Sequence, residues 1–183
     1  MLNIFAYEHI LFLLALTVPY EFKSWKRILI LVSLFTLGHT LALFLSVFNI
    51  VTIKSNITGF LIPIIILIVA VYNIVISGKS SKKDGITFVG IVTSIFGIIH
   101  GLGFSNYFNT IVSGKPTDKL LPLFEFSLGI EISQIIVAII SLLLAYVIQT
   151  LFKFSKRDWI LIVSAFTAGV LIPIILQNNI WHK

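Results

Sequence analysis

Three histidines lie within hydrophobic segments of the chain, where an ionisable side chain is costly and is usually tied to function. They are His9, His39 and His100. Neutral imidazoles combined with carboxylates make a site that suits Zn²⁺, Ni²⁺, Co²⁺ or Fe²⁺. Carboxylate charge offsets the charge of the cation in a medium of low dielectric constant. The sequence therefore predicts a metal site with these ligands: His9, His39, His100, Glu131 and Glu8.

Smaller polar residues and glycines surround the predicted ligands. Three glycines flank His100 and would let a helix or a ligand approach the backbone. Two threonines bracket His39, where a hydroxyl can bond the ring or the helix backbone. A serine, a glutamate and a glutamine at i, i+4 and i+7 form one polar stripe on a helix. The residues expected to support the site are Gln134, Ser127, Thr36, Thr40, Gly97, Gly101 and Gly103.

Composition places the chain in a membrane. Of the 183 residues, 58% are hydrophobic and only 11% are charged, with a mean hydropathy of +1.08. This is far outside the soluble range and indicates an integral membrane protein. The net charge of +6 does not indicate nucleic-acid binding, because the cations fall in short connections between apolar segments. There is no cysteine, so any metal must use nitrogen and oxygen ligands.

Hydrophobic segments of about 20 residues are long enough to span a bilayer. The chain contains six, and we predict an all-α membrane protein, a single bundle of six helices over residues 1–183. The first segment lacks a basic leader and a small-residue cleavage site, which favours a retained helix over a signal peptide. The predicted spans are 2–20, 28–50, 57–77, 86–104, 120–152 and 159–176.

The basic residues predict the orientation of the bundle. Nine of the 13 Lys and Arg residues lie in the first, third and fifth connections. The positive-inside rule therefore places these connections in the cytoplasm and both termini outside it.

With this orientation, the rise of about 1.5 Å per helical residue gives a depth for each polar group. His100 is expected about 6 Å and His39 about 16 Å below the outer ends of their segments. On the fifth segment, Glu125 and Glu131 are expected at about 8 and 16 Å. The Glu-His pair of the first segment falls in its outer half. All these groups share the outer leaflet, which favours a single site, although Glu125 is near enough to the interface to be simply solvated.

Four stretches resemble the HupE/UreJ family, and in particular its second branch. They are EHILFLLAL (8–16), FTLGHTLAL (35–43), FGIIHGLGF (96–104) and LFEFSLGIEISQ (123–134). The family consists of small polytopic membrane proteins associated with nickel or cobalt permeation. The resemblance implies that the site residues are His9, His39, His100, Glu131 and Gln134.

The chain also departs from the family patterns. Glu8 stands where the second branch has Asp, which keeps the carboxylate, and Ser127 stands where it has Asn. The permease branch has a His separated by five residues from its Asp-His pair, and this chain has Leu2 there. That branch also has a second His and a Glu around its His-Gly motif, where this chain has Phe96 and Gly103. The expected ligand set is therefore smaller than that of the permease branch.

From these observations we expect a protein of the bacterial inner membrane whose partners are the lipid bilayer and a divalent Ni, Co or Zn ion, most simply as a permease. One alternative is an intramembrane metalloenzyme in which the metal activates water and Glu131 or Glu8 acts as the general base. A haem protein with His39 and His100 as axial ligands is another, and the unequal predicted depths speak against it. Proton-coupled transport without metal is a further alternative.

Overall fold

A computed structural model describes residues 2–77 and 85–178 of the chain, and its side chains from Tyr7 to Ser77 and from Thr87 to Asn178. Nearly all of this part is helical and none of it forms a strand, which confirms the predicted all-α class. Six α-helices follow one another: α1 (Leu2–Thr17), α2 (Trp25–Val47), α3 (Ser55–Ile76), α4 (Gly85–Ile111), α5 (Leu120–Leu151) and α6 (Lys156–Leu176).

The helices from α2 to α6 are each long and apolar enough to cross a bilayer. The first helix is shorter, at 16 residues. Two short 3₁₀ helices, Phe22–Ser24 and Pro116–Lys119, lead into α2 and α5. The architecture is that of an integral membrane protein.

The helix ends differ from the predicted spans mainly at the end of α4. This helix was predicted to end at Phe104, and it continues for almost two more turns to Ile111. Hydropathy underestimates its length because the added turns are polar, whereas a helix is defined by its backbone hydrogen bonds and not by apolar side chains. The Ser105 hydroxyl donates to the Leu102 carbonyl, and the hydroxyl of Thr110 donates to the carbonyl of Asn106. Helix α2 ends at Val47, three residues before the predicted end of the span at residue 50. Asn49, two residues later, has a φ of 55°, which is not a right-handed helical conformation.

Contacts between connections define two ends of the bundle. At one end, which we call the upper end, the Asn106 amide donates to the Ser55 hydroxyl. At the opposite, lower end, Glu21 and Lys156 form an ion pair of 2.8 Å between the α1–α2 and α5–α6 connections. The hydrogen bond from Lys156 holds the pKa of the Glu21 carboxyl below its usual value. The positive-inside prediction corresponds to a cytoplasmic lower end.

The closest helix pair is α2 with α4, and glycines make it possible. A Cβ on Gly97 would meet the carbonyl oxygen of Phe35, and one on Gly101 would meet that of His39. On the facing helix, a Cβ on Gly38 would come within 2.8 Å of the Ser94 carbonyl oxygen. Backbones that approach this closely gain dispersion and Cα–H···O contacts, which drive helix association in lipid. The two helices therefore form a tightly packed pair.

Gly101→Ala tests this packing. The added methyl group would meet the backbone of α2, so the helices must separate, and we expect a loss of about 1–3 kcal/mol of stability. Thermal unfolding in detergent, followed by circular dichroism, measures it. Gly129→Ala on α5 is the matched control, because a Cβ there meets nothing within 4 Å and alanine is the better helix former. An equal melting temperature for the two variants would contradict the packing account.

Candidate functional site

The side chains of three histidines converge from three helices. His9 on α1 and His100 on α4 are in contact, with 3.4 Å between His9 Nδ1 and His100 Nε2. The ring of His39 on α2 lies 5.7 Å from that of His100, centroid to centroid. His39 and His100 are 1% and 4% exposed, and His9 is partly buried. The bundle thus holds three imidazoles in its interior.

His100 lies deeper than the sequence predicted. Because α4 ends at Ile111, His100 is about 16 Å below the upper end of its helix, and the expected 6 Å is wrong. His39 lies about 12 Å below the end of α2 at Val47. The two ring centroids are 5.7 Å apart, so the imidazoles share a level, and unequal depth no longer speaks against a haem.

Gln134 connects the histidines to α5 and α2. Its side-chain nitrogen lies 2.8 Å from His9 Nε2, and its oxygen accepts a hydrogen bond of 3.4 Å from the Thr36 hydroxyl. Thr36 also donates to the carbonyl oxygen of Val32. In this arrangement His9 Nε2 is an acceptor, so the neutral ring carries its proton on Nδ1 and donates it to His100.

Rotation of the Gln134 amide by 180° produces a second consistent network. The Gln134 oxygen would then accept from a proton on His9 Nε2, and its nitrogen would donate to Thr36, which still donates to Val32. In this state His9 Nδ1 has a free lone pair directed at the space beside His100. The glutamine is therefore suited to switch His9 between a hydrogen-bond donor and a metal ligand.

His39 is held by rings rather than by hydrogen bonds. Neither of its ring nitrogens has a hydrogen-bond partner among the residues that the structure describes. The Thr40 hydroxyl, predicted to support this ring, instead donates to the carbonyl of Thr36 within its own helix. A buried imidazole without partners is costly, which is the expected condition of a ligand whose ion is bound only part of the time.

The carboxylates occupy different surroundings. Glu8 is 2% exposed, and its Oε2 has no hydrogen-bond partner within residues 2–77 and 85–178. Glu131 is half-buried between α5 and α2, where it accepts a hydrogen bond of 2.8 Å from Ser33. Glu125 is exposed on α5. Of these three carboxylates, Glu8 is therefore the one whose oxygen atom a cation would most stabilise.

The other residues predicted to support the site contact helix backbones or neighbouring helices instead of the histidine rings. Ser127 is buried and donates to the carbonyl of Leu123 on its own helix. Gly97 and Gly101 form the close contact with α2, and a Cβ on Gly103 would lie 3.1 Å from Thr58 of α3. Gly97 and Gly101 set the separation of the helices that carry His39 and His100, whereas Gly103 lies against α3.

Aromatic rings lie both below and above the histidines. Below them, Phe12, Phe35 and Phe96 contact one another, and we call these three the phenylalanine triad. Above them, Phe104 and Phe126 stack with centroids 5.0 Å apart and flank His39 at 6.1 and 6.2 Å; we call these two the upper pair.

The spacing of residues in the sequence accounts for only part of this shell. Contacts between Phe35 and His39 and between Phe96 and His100 follow from their i, i+4 spacing, and both are present. Phe12, Phe126 and Ser33 were missed. Phe12 is three residues after His9, a spacing that signals a shared face, whereas Ser33 and Phe126 depend on which helices become neighbours.

The histidine cluster does not form a closed metal site in this structure. In the described ranges, no group of three or more His, Asp or Glu side chains is close enough to enclose a metal ion. The ring centroids of His9 and His39 lie 5.1 and 5.7 Å from that of His100, and only His9 brings a ring nitrogen within 3.4 Å of a His100 nitrogen. A three-ligand site would need movement of the His39 ring.

Gln134→Leu tests the hydrogen-bond network. Leucine has a similar size but leaves His9 Nε2 and the Thr36 hydroxyl without this partner, so we expect about 1–3 kcal/mol of destabilisation in detergent melts. Ser133→Ala is the control, since Ser133 is exposed and bonds only the carbonyl of Gly129 on its own helix. A Gln134→Leu protein that melts like the wild type would show that the network contributes nothing to stability.

Comparison with known families gives one result. The model of a family described as HupE / UreJ protein matches residues 3–179. Searches against curated proteins and against solved structures each give no match. The match covers nearly the whole chain and includes every residue of the histidine cluster. The chain belongs to the HupE/UreJ family, which is associated with nickel and cobalt transport.

Proposed function

We propose that this protein carries a divalent transition-metal ion across the membrane, with nickel or cobalt as the first candidates, and that His9, His39 and His100 bind the ion on its way. The ion is cargo in this proposal. Family membership supports the substrate class, and the buried histidine cluster supports the place of binding.

The observation that carries the proposal is the distance between His9 Nδ1 and His100 Nε2, which is 3.4 Å. Two nitrogens bound tetrahedrally to one metal at about 2.1 Å each are about 3.4 Å apart. The two imidazoles are therefore already spaced as neighbouring ligands. With the Gln134 amide rotated, His9 Nδ1 is deprotonated and its Nε2–H is held by the glutamine oxygen, as second-shell partners commonly hold ligand histidines.

The remaining groups would complete the site and balance its charge. His39 has both ring nitrogens without partners in the described residues, so a small rotation toward His100 would add a third nitrogen. Glu8 and Glu131 would supply negative charge, Glu8 as the first candidate because it is buried and its Oε2 has no hydrogen-bond partner in the described residues. A site that closes around the ion only after it arrives binds it exchangeably, as transport requires.

Elemental analysis of untagged protein in detergent, after loading with Ni²⁺ or Co²⁺ and desalting, tests the binding step. We expect about one ion per chain in the wild type and at least a tenfold weaker affinity in His39→Ala and in His100→Ala, because each loses a nitrogen ligand. His182→Ala is the matched control, since it removes a histidine that is not among the proposed ligands.

Three outcomes would contradict the proposal. Absence of metal under every loading condition would leave the histidines as proton-transfer or packing groups. A Soret band in the same sample would identify a haem site instead. Metal that binds but does not enter liposomes carrying the protein and an indicator dye would favour the enzyme alternative, in which Glu131→Gln abolishes turnover and spares metal affinity.

A further inference from the structure

We propose that Phe12, Phe35 and Phe96, the phenylalanine triad, form a closed gate between the histidine cluster and the lower half of the bundle, and that Phe12 on α1 is its moving part. The inference rests on the proposed function, because it names the barrier that a transported ion must pass after it leaves the histidines.

The triad is a compact, dry layer. Phe12 stacks on Phe96 with centroids 3.9 Å apart, and Phe35 lies 5.9 and 5.4 Å from these two rings. The three side chains are 0–1% exposed. A layer of this kind holds no water, and a dication cannot cross it without losing its hydration shell and gaining no ligand.

The triad also lies on the path of the ion. Its members come from α1, α2 and α4, the same helices that carry the three histidines. Phe35 and Phe96 precede His39 and His100 by one turn on helices that rise toward the upper end. Phe12 follows His9 by about one turn on a helix that descends. The rings therefore form a second layer directly below the imidazoles.

The upper side of the cluster is less tightly closed. The upper pair, Phe104 and Phe126, is partly exposed, whereas the triad is fully buried. An ion arriving from the upper end would displace two partly buried rings, whereas one leaving downward must separate three fully buried ones. The structure thus represents the state in which the lower gate is shut.

Polar groups continue below the triad. Thr93 is seven residues before His100 on α4 and shares the face of Phe96, and its fully buried hydroxyl has no hydrogen-bond partner in the described part of the chain. Lower still, the hydroxyls of Thr17 and Ser141 bond each other at 2.8 Å. If the path below the triad fills with water only when the gate opens, its polar groups lack partners while the gate is shut. The Thr93 hydroxyl is in this condition.

Packing indicates which ring moves. Phe35 and Phe96 belong to the α2–α4 pair, whose backbones touch at Gly97 and Gly101 and leave no room for sliding. Phe12 belongs to α1, the shortest of the six described α-helices. A shift of α1 would withdraw Phe12 and open a passage between the other two rings while the α2–α4 pair stays intact.

The absence of cysteine from the sequence allows a direct test by thiol labelling. A single Thr93→Cys substitution places a thiol just below the triad, and Asn106→Cys places one on the exposed upper surface to identify the side of the vesicle it faces. A membrane-impermeant methanethiosulfonate reagent is added from the upper side, without metal. We expect Cys at 106 to react and Cys at 93 not to react while the triad is intact.

Opening the gate should expose the lower thiol. Combined with Phe12→Ala, Thr93→Cys is expected to react at least tenfold faster from the upper side, and Phe12→Leu should give a smaller increase in a protein with a smaller packing defect. Phe108→Ala is the matched control, because Phe108 is an equally buried phenylalanine above the histidines, and it should leave the rate unchanged.

Reaction of Thr93→Cys from the upper side with the triad intact would overturn the gate. So would an unchanged rate in both Phe12→Ala and Phe12→Leu when the two variants retain their helical circular dichroism. Because labelling is measured without metal, failure of the gate leaves metal binding to the histidines standing, and failure of metal binding in the elemental analysis leaves the labelling result standing.

Discussion

The contact between the backbones of α2 and α4 is the constraint on which the rest of the site depends. Gly97 and Gly101 allow α4 to lie against the carbonyls of Phe35 and His39. That contact sets His39 and His100 at one level and sets Phe35 and Phe96 one turn below them. In a bilayer, where apolar burial does not distinguish protein from lipid, such close approach is a principal source of helix association. The glycines near His100 therefore position the histidines and do not themselves take part in the chemistry of the site.

Around this rigid pair, the polar groups of the interior are satisfied unequally. Thr36, Gln134 and His9 form a connected network, and Glu131 is bonded to Ser33. His39 and the Oε2 of Glu8 have no such partners in the described ranges. Buried polar groups are normally paired, and those that are not often mark a site that waits for a ligand. Under the proposed function, the unsatisfied atoms of His39 and Glu8 are the ones that the ion would satisfy.

The sequence predicts the helical bundle well because a bilayer imposes a minimum length and an apolar composition on each span. It also identifies the polar residues of the interior, since few side chains in such segments can ionise. The prediction is wrong for the end of α4, where the helix continues beyond the apolar run through polar residues such as Ser105 and Thr110, whose hydroxyls bond to carbonyls of the same helix. Hydropathy carries no information about such bonds.

Other features depend on which helices become neighbours. Ser33 opposite Glu131 and Phe126 beside His39 arise from the contact of α5 with α2, which a single sequence does not specify. The phenylalanine triad requires the rotation of α1 as well as its sequence, because Phe12 must face the other two rings. The layers of imidazoles and phenyl rings are therefore properties of the packed bundle rather than of any one motif.

The central claim is that histidines from three helices bind one metal ion. The X-ray absorption spectrum of protein loaded with one equivalent of Ni²⁺ tests it most directly, because imidazole ligands produce a characteristic multiple-scattering pattern. The account predicts three imidazoles in the coordination shell, and two in His100→Ala. A shell of oxygen ligands alone, or a spectrum unchanged by His100→Ala, would contradict it.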